Sequence, residues 1–334
     1  MKHSHYIDLA LHEAWRYQGL TYPNPAVGAC VVGKNGEILA VNAHQKAGEA
    51  HAEVLALRDA YVLLSKDESI ALTCNSQELH SYLIEHHNGI FKECSIYVTL
   101  EPCSHIGKTP SCASLLASLQ IKKVYIAHSD NSKNASGGVE ILKSKEIEVH
   151  KDIEHKKAGA LLYPFLSWQK ENFVTFKWAQ RLDGTIDGGA ISCEKSREYV
   201  HTMRSVCDLM VIGGNTVRVD RPTLDARMVD GKAPDILIYS RGDDFDRDIA
   251  LFKIKGRKVY IENSFERLKE YKNILIEGGL GMYKASRDIV DYYLAFISPQ
   301  SGGGTMSLLD RKDNFDILHV RDIQSDILLW MKRR

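Results

Sequence analysis

His51-Ala52-Glu53, followed by Pro102-Cys103 and, nine positions on, by Cys112, is the stretch that decides this chain. Imidazole and thiolate are ligands that zinc prefers, and three of them leave a fourth position open to water. His51 and Glu53 are two apart, so on a regular helix they point to different sides, whereas two ligands from one face would be spaced three or four. The arrangement suits one ligand beside one carboxylate that moves protons. A helix over 51–64 is expected to begin at His51, and another over 112–119 at Cys112. Free N–H groups at such a start help keep a thiol ionised for a metal. A structural zinc site would close with a fourth protein ligand; His105, two residues after Cys103, is the one nearby candidate.

Working outward, residues 5–17 carry Tyr6, Ile7, Ala10, Leu11, Ala14 and Trp15 at helical spacing. Tyr22-Pro23-Asn24-Pro25 ends that helix. Residues 27–32 and 37–41, around Gly33-Lys34-Asn35-Gly36, read as a hairpin, and 95–100 and 123–127 as strands. The order β-β-α-β-α-β predicts a three-layer α/β domain whose site lies at strand ends and helix starts. Residues 65–92 are polar and poorly periodic, and read as an insertion with His80, His86 and His87 on its surface. A helix over 152–169 leads to a second α/β half with strands at 173–178, 209–212, 235–239, 258–261, 273–276 and 292–297. The domains are placed at 1–147 and 148–334.

A length of 334 residues favours two domains. Lys+Arg and Asp+Glu are both 43, which argues against a general nucleic-acid or membrane surface. No apolar run reaches about eighteen residues, and the first fifteen are too charged for a secretory leader; a cytoplasmic protein is expected. Of the seven cysteines, only Cys103 and Cys112 have a metal-site context. Cys30, Cys74, Cys94, Cys193 and Cys207 read as core residues. No G-x-G-x-x-G follows a strand in the second half, so a Rossmann fingerprint does not explain it. Gly302-Gly303-Gly304 reads as a flexible loop.

The H-x-E, P-C and Cys grouping is similar to the signature of zinc deaminases that act on nucleobases. More specifically, Pro23-Asn24-Pro25-Ala26-Val27-Gly28, the run from His44 to Glu53 and the run from Thr99 to Cys112 resemble the bifunctional deaminase/reductases of riboflavin biosynthesis, the RibD family. The nine-position cysteine spacing is that family's variation on the shorter P-C-x-x-C. The resemblance implies a cytidine-deaminase-like first domain with Zn²⁺ on His51, Cys103 and Cys112, and Glu53 as the catalytic proton carrier. Zinc lowers the pKa of its water towards ~7, and Glu53 hands the proton to the ring and then to the leaving amine. The implied substrate is 2,5-diamino-6-ribosylamino-4(3H)-pyrimidinone 5′-phosphate, touched by Asn24 and His44, with His105, Lys108 and Thr109 near its phosphate.

In the second half, Phe176-Lys177-Trp178-Ala179, Leu182-Asp183-Gly184, Gly213-Gly214-Asn215-Thr216, the run from Asp220 to Leu224, and Glu277-Gly278-Gly279 are similar to the family's reductase domain. That implies a dihydrofolate-reductase-like α/β fold using NADPH to reduce the ribosyl group to ribityl. Arg204, Leu224, Arg227 and Glu277 match substrate positions; Ala179, Thr216, Asp220, Ser240 and Gly279 match cofactor positions. Three departures stand out. Arg181 replaces a serine before Leu-Asp-Gly, Gly188-Gly189-Ala190-Ile191 replaces a Ser-x-Trp-Ile, and the turn after Asp130 lacks both prolines. A degenerate second half serving binding or dimerisation is therefore the alternative reading. A homo-oligomer is compatible with the sequence, which leaves the oligomeric state open.

Overall fold

The computed structural model describes residues 2–104, 109–130, 137–308 and 312–334. The chain forms two compact units, Met1–Phe165 and Leu166–Arg334.

In the first unit the elements run α1 (His3–Trp15), β1 (Gly28–Val32), β2 (Ile38–Ala43), α2 (Ala52–Ser65), α3 (Ser76–His86), β3 (Ser95–Val98), α4 (Cys112–Ser118), β4 (Lys123–Ile126), α5 (Gly138–Ser144), β5 (Glu148–His150) and α6 (His155–Trp168), which runs on into the second unit. The sheet order is β2-β1-β3-β4-β5. β1 is antiparallel to β2 and β3, while β3, β4 and β5 are parallel. All five residues of β1 are buried, so both faces of the strand are covered. Gly28 meets α1 directly: a Cβ there would lie 1.9 Å from the Ala10 carbonyl oxygen.

This topology fixes where chemistry can occur. β1 starts at the end of the sheet where β2 and β3 finish: Gly28 pairs with Ala43, Gly28 N–H donates to Thr99 Oγ1 (3.0 Å), and Thr99 N–H donates to the Gly28 carbonyl (3.0 Å). Asn24, His44 and the Glu101-Pro102-Cys103 turn thus emerge side by side. Glu101 ties the turn down, its carboxylate accepting from Val139 N–H (3.2 Å) and Asp130 N–H (3.4 Å). At Gly138 a Cβ would lie 1.9 Å from the Pro102 carbonyl oxygen, so α5 sits as close to this turn as backbone allows.

The second unit contains β6 (Phe173–Arg181), α7 (Glu194–Val206), β7 (Leu209–Gly213), α8 (Gly214–Asp220), β8 (Asp235–Tyr239), α9 (Ala250–Lys253), β9 (Val259–Glu262), β10 (Asn273–Glu277), α10 (Leu280–Ser286), β11 (Tyr292–Ser298), β12 (Phe315–Ile323) and β13 (Asp326–Arg333). Its eight strands are ordered β12-β13-β11-β6-β10-β7-β8-β9. From β11 to β9 every neighbouring pair is parallel, and β13 and β12 add an antiparallel hairpin at one edge. The core joins Val174, Phe176, Val211, Ile274, Ile276 and Met282. At about 25 cal/mol per Å² of apolar surface, each large side chain fully buried there contributes roughly 1.5–3 kcal/mol.

The expected elements appear, most within two residues of their predicted ends. The differences lie where pattern is weak. The 65–92 stretch holds α3, opened by Asn75, whose side chain accepts from Glu78 N–H at 3.1 Å. His80 is not a surface residue as expected: it is 4% exposed, because α3 turns Ser76, Leu79, His80 and Leu83 inward. Two polar residues in that stripe disguise its helical period. His86 and His87 are half-buried. Cys30, Cys94 and Cys207 are buried, but Cys74 and Cys193 only half so. Among the described residues, no helix is long and apolar enough to cross a membrane.

Candidate active sites

His51 caps the start of α2, Cys112 is the first residue of α4, and Cys103 ends the turn after β3. Their ligand atoms all lie within 4.8 Å of one another. His51 Nδ1 is 3.4 Å from Cys112 Sγ and 3.7 Å from Cys103 Sγ. Tetrahedral zinc with ordinary Zn–S and Zn–N lengths would separate N and S ligands by about 3.6 Å, so this donor set fits the ion. The other nitrogen, Nε2, lies 3.3 Å from Thr109 Oγ1, the kind of outer partner that fixes a ligand histidine's tautomer and orientation. Thr109, expected near a phosphate, is thus placed against the metal-site imidazole.

The two thiols are pushed apart: the hydrogen bond to Cys103 and burial hold the Cys112 thiol well above its ordinary value. The Cys112 thiol hydrogen-bonded to Cys103, with His51 beside it, holds the Cys103 thiol down at about 4 against the upward push of burial. Cys112 N–H also donates to Cys103 Sγ (3.4 Å). Ser111 caps α4, accepting from Ser114 N–H (3.1 Å) while its hydroxyl donates to the Cys103 carbonyl (2.9 Å). Glu53 is 4% exposed and lies in the first turn of α2. Burial pushes its carboxyl above the ordinary value, with His51 opposing. A shift in that direction suits a group that both takes and returns protons.

His44 and Asn24 form the adjoining wall. His44 Nδ1 donates to the Ala50 carbonyl (3.1 Å), leaving Nε2 to accept from Asn24 Nδ2 (3.1 Å). Burial lowers its pKa to about 4, so the ring is neutral and this tautomer is consistent with both bonds. The insertion reaches the same place: Ala50 N–H donates to the Cys74 carbonyl (3.1 Å), and Arg58 of α2 donates to the Thr73 carbonyl (2.8 Å). His80 lies within the electrostatic reach of Cys103 and His51, and burial lowers its pKa to about 4. No sequence signal pointed to the Cys74 contact, because a backbone carbonyl carries no residue identity. His105 and Lys108 lie outside the described residues.

In the second unit the predicted residues gather at the C-terminal ends of adjacent parallel strands, where open α/β sheets bind ligands. Ala179 is near the end of β6, Gly213-Gly214 joins β7 to α8 with Thr216 and Asp220, Ser240 follows β8, and Gly279 follows β10. A Cβ at Gly214 would lie 2.8 Å from Ser240, and one at Gly279 would lie 2.9 Å from Ile186. These side-chain-free strand ends, with hydroxyl donors beside them, fit a nucleotide cofactor. Asp220 is exposed at the end of α8, away from any capping role.

Nearby, Arg204 grips Glu277 through two bonds, Nε–Oε1 2.8 Å and Nη2–Oε2 2.9 Å, and Lys177 Nζ stands 3.8 Å from the same carboxylate. Lys177 was missed in the sequence, where it reads as one more strand residue; burial lowers its pKa. Leu224 is buried with φ +56°. Arg227 is largely exposed and pairs with Asp225 at 3.3 Å.

Comparison with known proteins agrees with this division. The family described as "Cytidine and deoxycytidylate deaminase zinc-binding region" matches residues 1–128, and "RibD C-terminal domain" matches residues 172–329. The riboflavin biosynthesis protein RibD of Aquifex aeolicus is 30% identical, with 98% of this chain and 94% of the relative covered. That of Corynebacterium ammoniagenes is 31% identical, covering 90% and 87%. A solved diaminohydroxyphosphoribosylaminopyrimidine deaminase/5-amino-6-(5-phosphoribosylamino)uracil reductase from Thermotoga maritima is 25% identical, with 99% of both chains covered and a TM-score of 0.64. Likeness of this extent, over two units each with its own site, makes the chain a member of the RibD family, a deaminase joined to a reductase in riboflavin biosynthesis.

Proposed function

We propose that the first unit deaminates 2,5-diamino-6-ribosylamino-4(3H)-pyrimidinone 5′-phosphate and that the second reduces the ribosyl group of its product to ribityl with NADPH. The observation that carries the reading is the buried Glu53 carboxyl beside three converging zinc-type donors, His51, Cys103 and Cys112. A zinc ion held there supplies the Lewis acidity that makes water nucleophilic near neutral pH. Glu53 takes one proton from the attacking water at its carboxylate and gives it to the ring nitrogen, then carries the second, from the new hydroxyl, to the departing amine. The 2-amino group leaves as ammonia and a carbonyl takes its place. Asn24 and neutral His44 orient the pyrimidine; His105 and Lys108 are assigned to the phosphate side by resemblance, and Thr109 steadies the His51 ring.

In the second unit Arg204, held by Glu277, and Arg227 offer guanidinium groups to the 5′-phosphate, with Leu224 beside them. Ala179, Thr216, Asp220, Ser240 and Gly279 line the cofactor side. NADPH supplies the hydride when bound. Arg218 donates to Ser240 Oγ at 3.2 Å, and a cation there favours the additional phosphate that distinguishes NADPH from NADH.

The test is a coupled assay on the purified chain that reads ammonia release and NADPH oxidation separately. Glu53→Gln should retain its metal by elemental analysis yet lose at least about a hundredfold in ammonia release. Undiminished release would remove Glu53 from the reaction.

A further inference from the structure

Arg181, the last residue of β6, is 4% exposed although it carries a guanidinium. Its donors go to the chain just ahead. Nη2 donates to the Gly188 carbonyl (3.0 Å), and Nη1 donates to the Asp187 carbonyl and to Thr185 Oγ1 (3.4 Å). The backbone closes the same turn, Arg181 N–H donating to the Thr185 carbonyl (2.9 Å).

That turn is fastened to a second loop. The Asp187 carboxylate accepts from Thr305 N–H (2.8 Å), Met306 N–H (2.9 Å) and Thr305 Oγ1 (3.0 Å). Ile186 N–H donates to the Met306 carbonyl (2.9 Å), and Leu182 N–H to the Gln300 carbonyl (2.8 Å). Gly188 has φ +82°, and a Cβ there would lie 1.8 Å from the Gly303 oxygen. Gly302-Gly303-Gly304, expected to be a flexible loop, therefore lie within a segment, residues 300–307, that is zipped to residues 182–188. Ile186 is carried on the latter. It packs on the core containing Met282 and stands against Gly279.

We infer that Arg181 is a positioning residue of the reductase: it locks the zipped loops so that Ile186 forms an apolar wall beside Gly279 at the cofactor edge. An apolar side chain flanking a bare strand end suits the flat face of a heterocycle. A serine at position 181 could not span to two carbonyls, and a lysine would offer a point charge without the planar fork. The inference rests on the reading that the cofactor lies at the ends of β7, β8 and β10.

The test is a fluorescence titration of NADPH into the full-length protein, with steady-state kinetics alongside. Arg181→Ala should weaken NADPH binding about tenfold. The KM for the deaminated pyrimidine and the rate of ammonia release should hold, and Arg181→Lys should fall between. Asp187→Ala loosens the zipper from its other side and should move NADPH binding in the same direction, which keeps the test valid if Arg181→Ala fails to fold. No NADPH binding by the wild type would overturn the cofactor placement and this inference together. Wild-type binding that both variants match would overturn the inference alone.

Discussion

Glu277 is a carboxylate set between Arg204 and Lys177 in a buried site. Burial would raise its pKa, but Arg204 and then Lys177 outweigh it and bring the value down to about 2. Because the folded value lies below the ordinary 4.5, ionised Glu277 stabilises the fold above that range, and this contribution is lost as pH falls towards 2. Thermal melting should therefore show the second unit losing stability across that window. Glu277→Gln should flatten the acid limb while costing about 3 kcal/mol at neutral pH, since it strands two buried cations. A variant curve parallel to wild type would refute the assignment. At this scale the convergence of His51, Cys103 and Cys112 was legible, because His, Cys and Glu at those spacings have few other uses. Thr109 against His51, and Lys177 against Glu277, were not: both are pairings across folded distance between residue types common in any chain.

Among the elements, the parallel strands of the second unit were plain from their continuous apolar runs, whereas β12 left little trace and β13, despite the run from Ile327 to Met331, was not expected. β12 is mostly exposed or half-exposed, with Ile317 and Val320 open to solvent, and its turn passes through Gln324 at φ +58° without a glycine. α3 was hidden for the opposite reason, its buried stripe including Ser76 and His80. The segment carrying α3 is no appendage, since the Cys74 carbonyl holds Ala50 next to His51. Replacing residues 67–91 by a short linker should speed zinc loss to a competing chelator by about tenfold, as removal of outer support usually does. Zinc release at the wild-type rate would show that the segment is dispensable to the centre.

Across the whole chain, each unit carries a candidate constellation of its own: zinc-type donors and Glu53 in the first, glycine strand ends and the Arg204–Glu277 pair in the second. Chelation should therefore abolish ammonia release while leaving NADPH oxidation by the deaminated intermediate intact, measured on the same sample. Loss of both would mean the reductase chemistry also needs the metal. The division into two α/β halves was readable from length and strand spacing; the zipping of residues 182–188 to 300–307 was not, because it joins segments more than a hundred positions apart through backbone groups. Gly138 shows what such hidden geometry entails. With the Pro102 oxygen already occupying the space a methyl would need, even alanine must displace the peptide that leads into Cys103. A position with no reactive group of its own should thus tolerate substitution as poorly as a ligand, and a map of permitted residues would mark it as essential for a reason that lies wholly in shape.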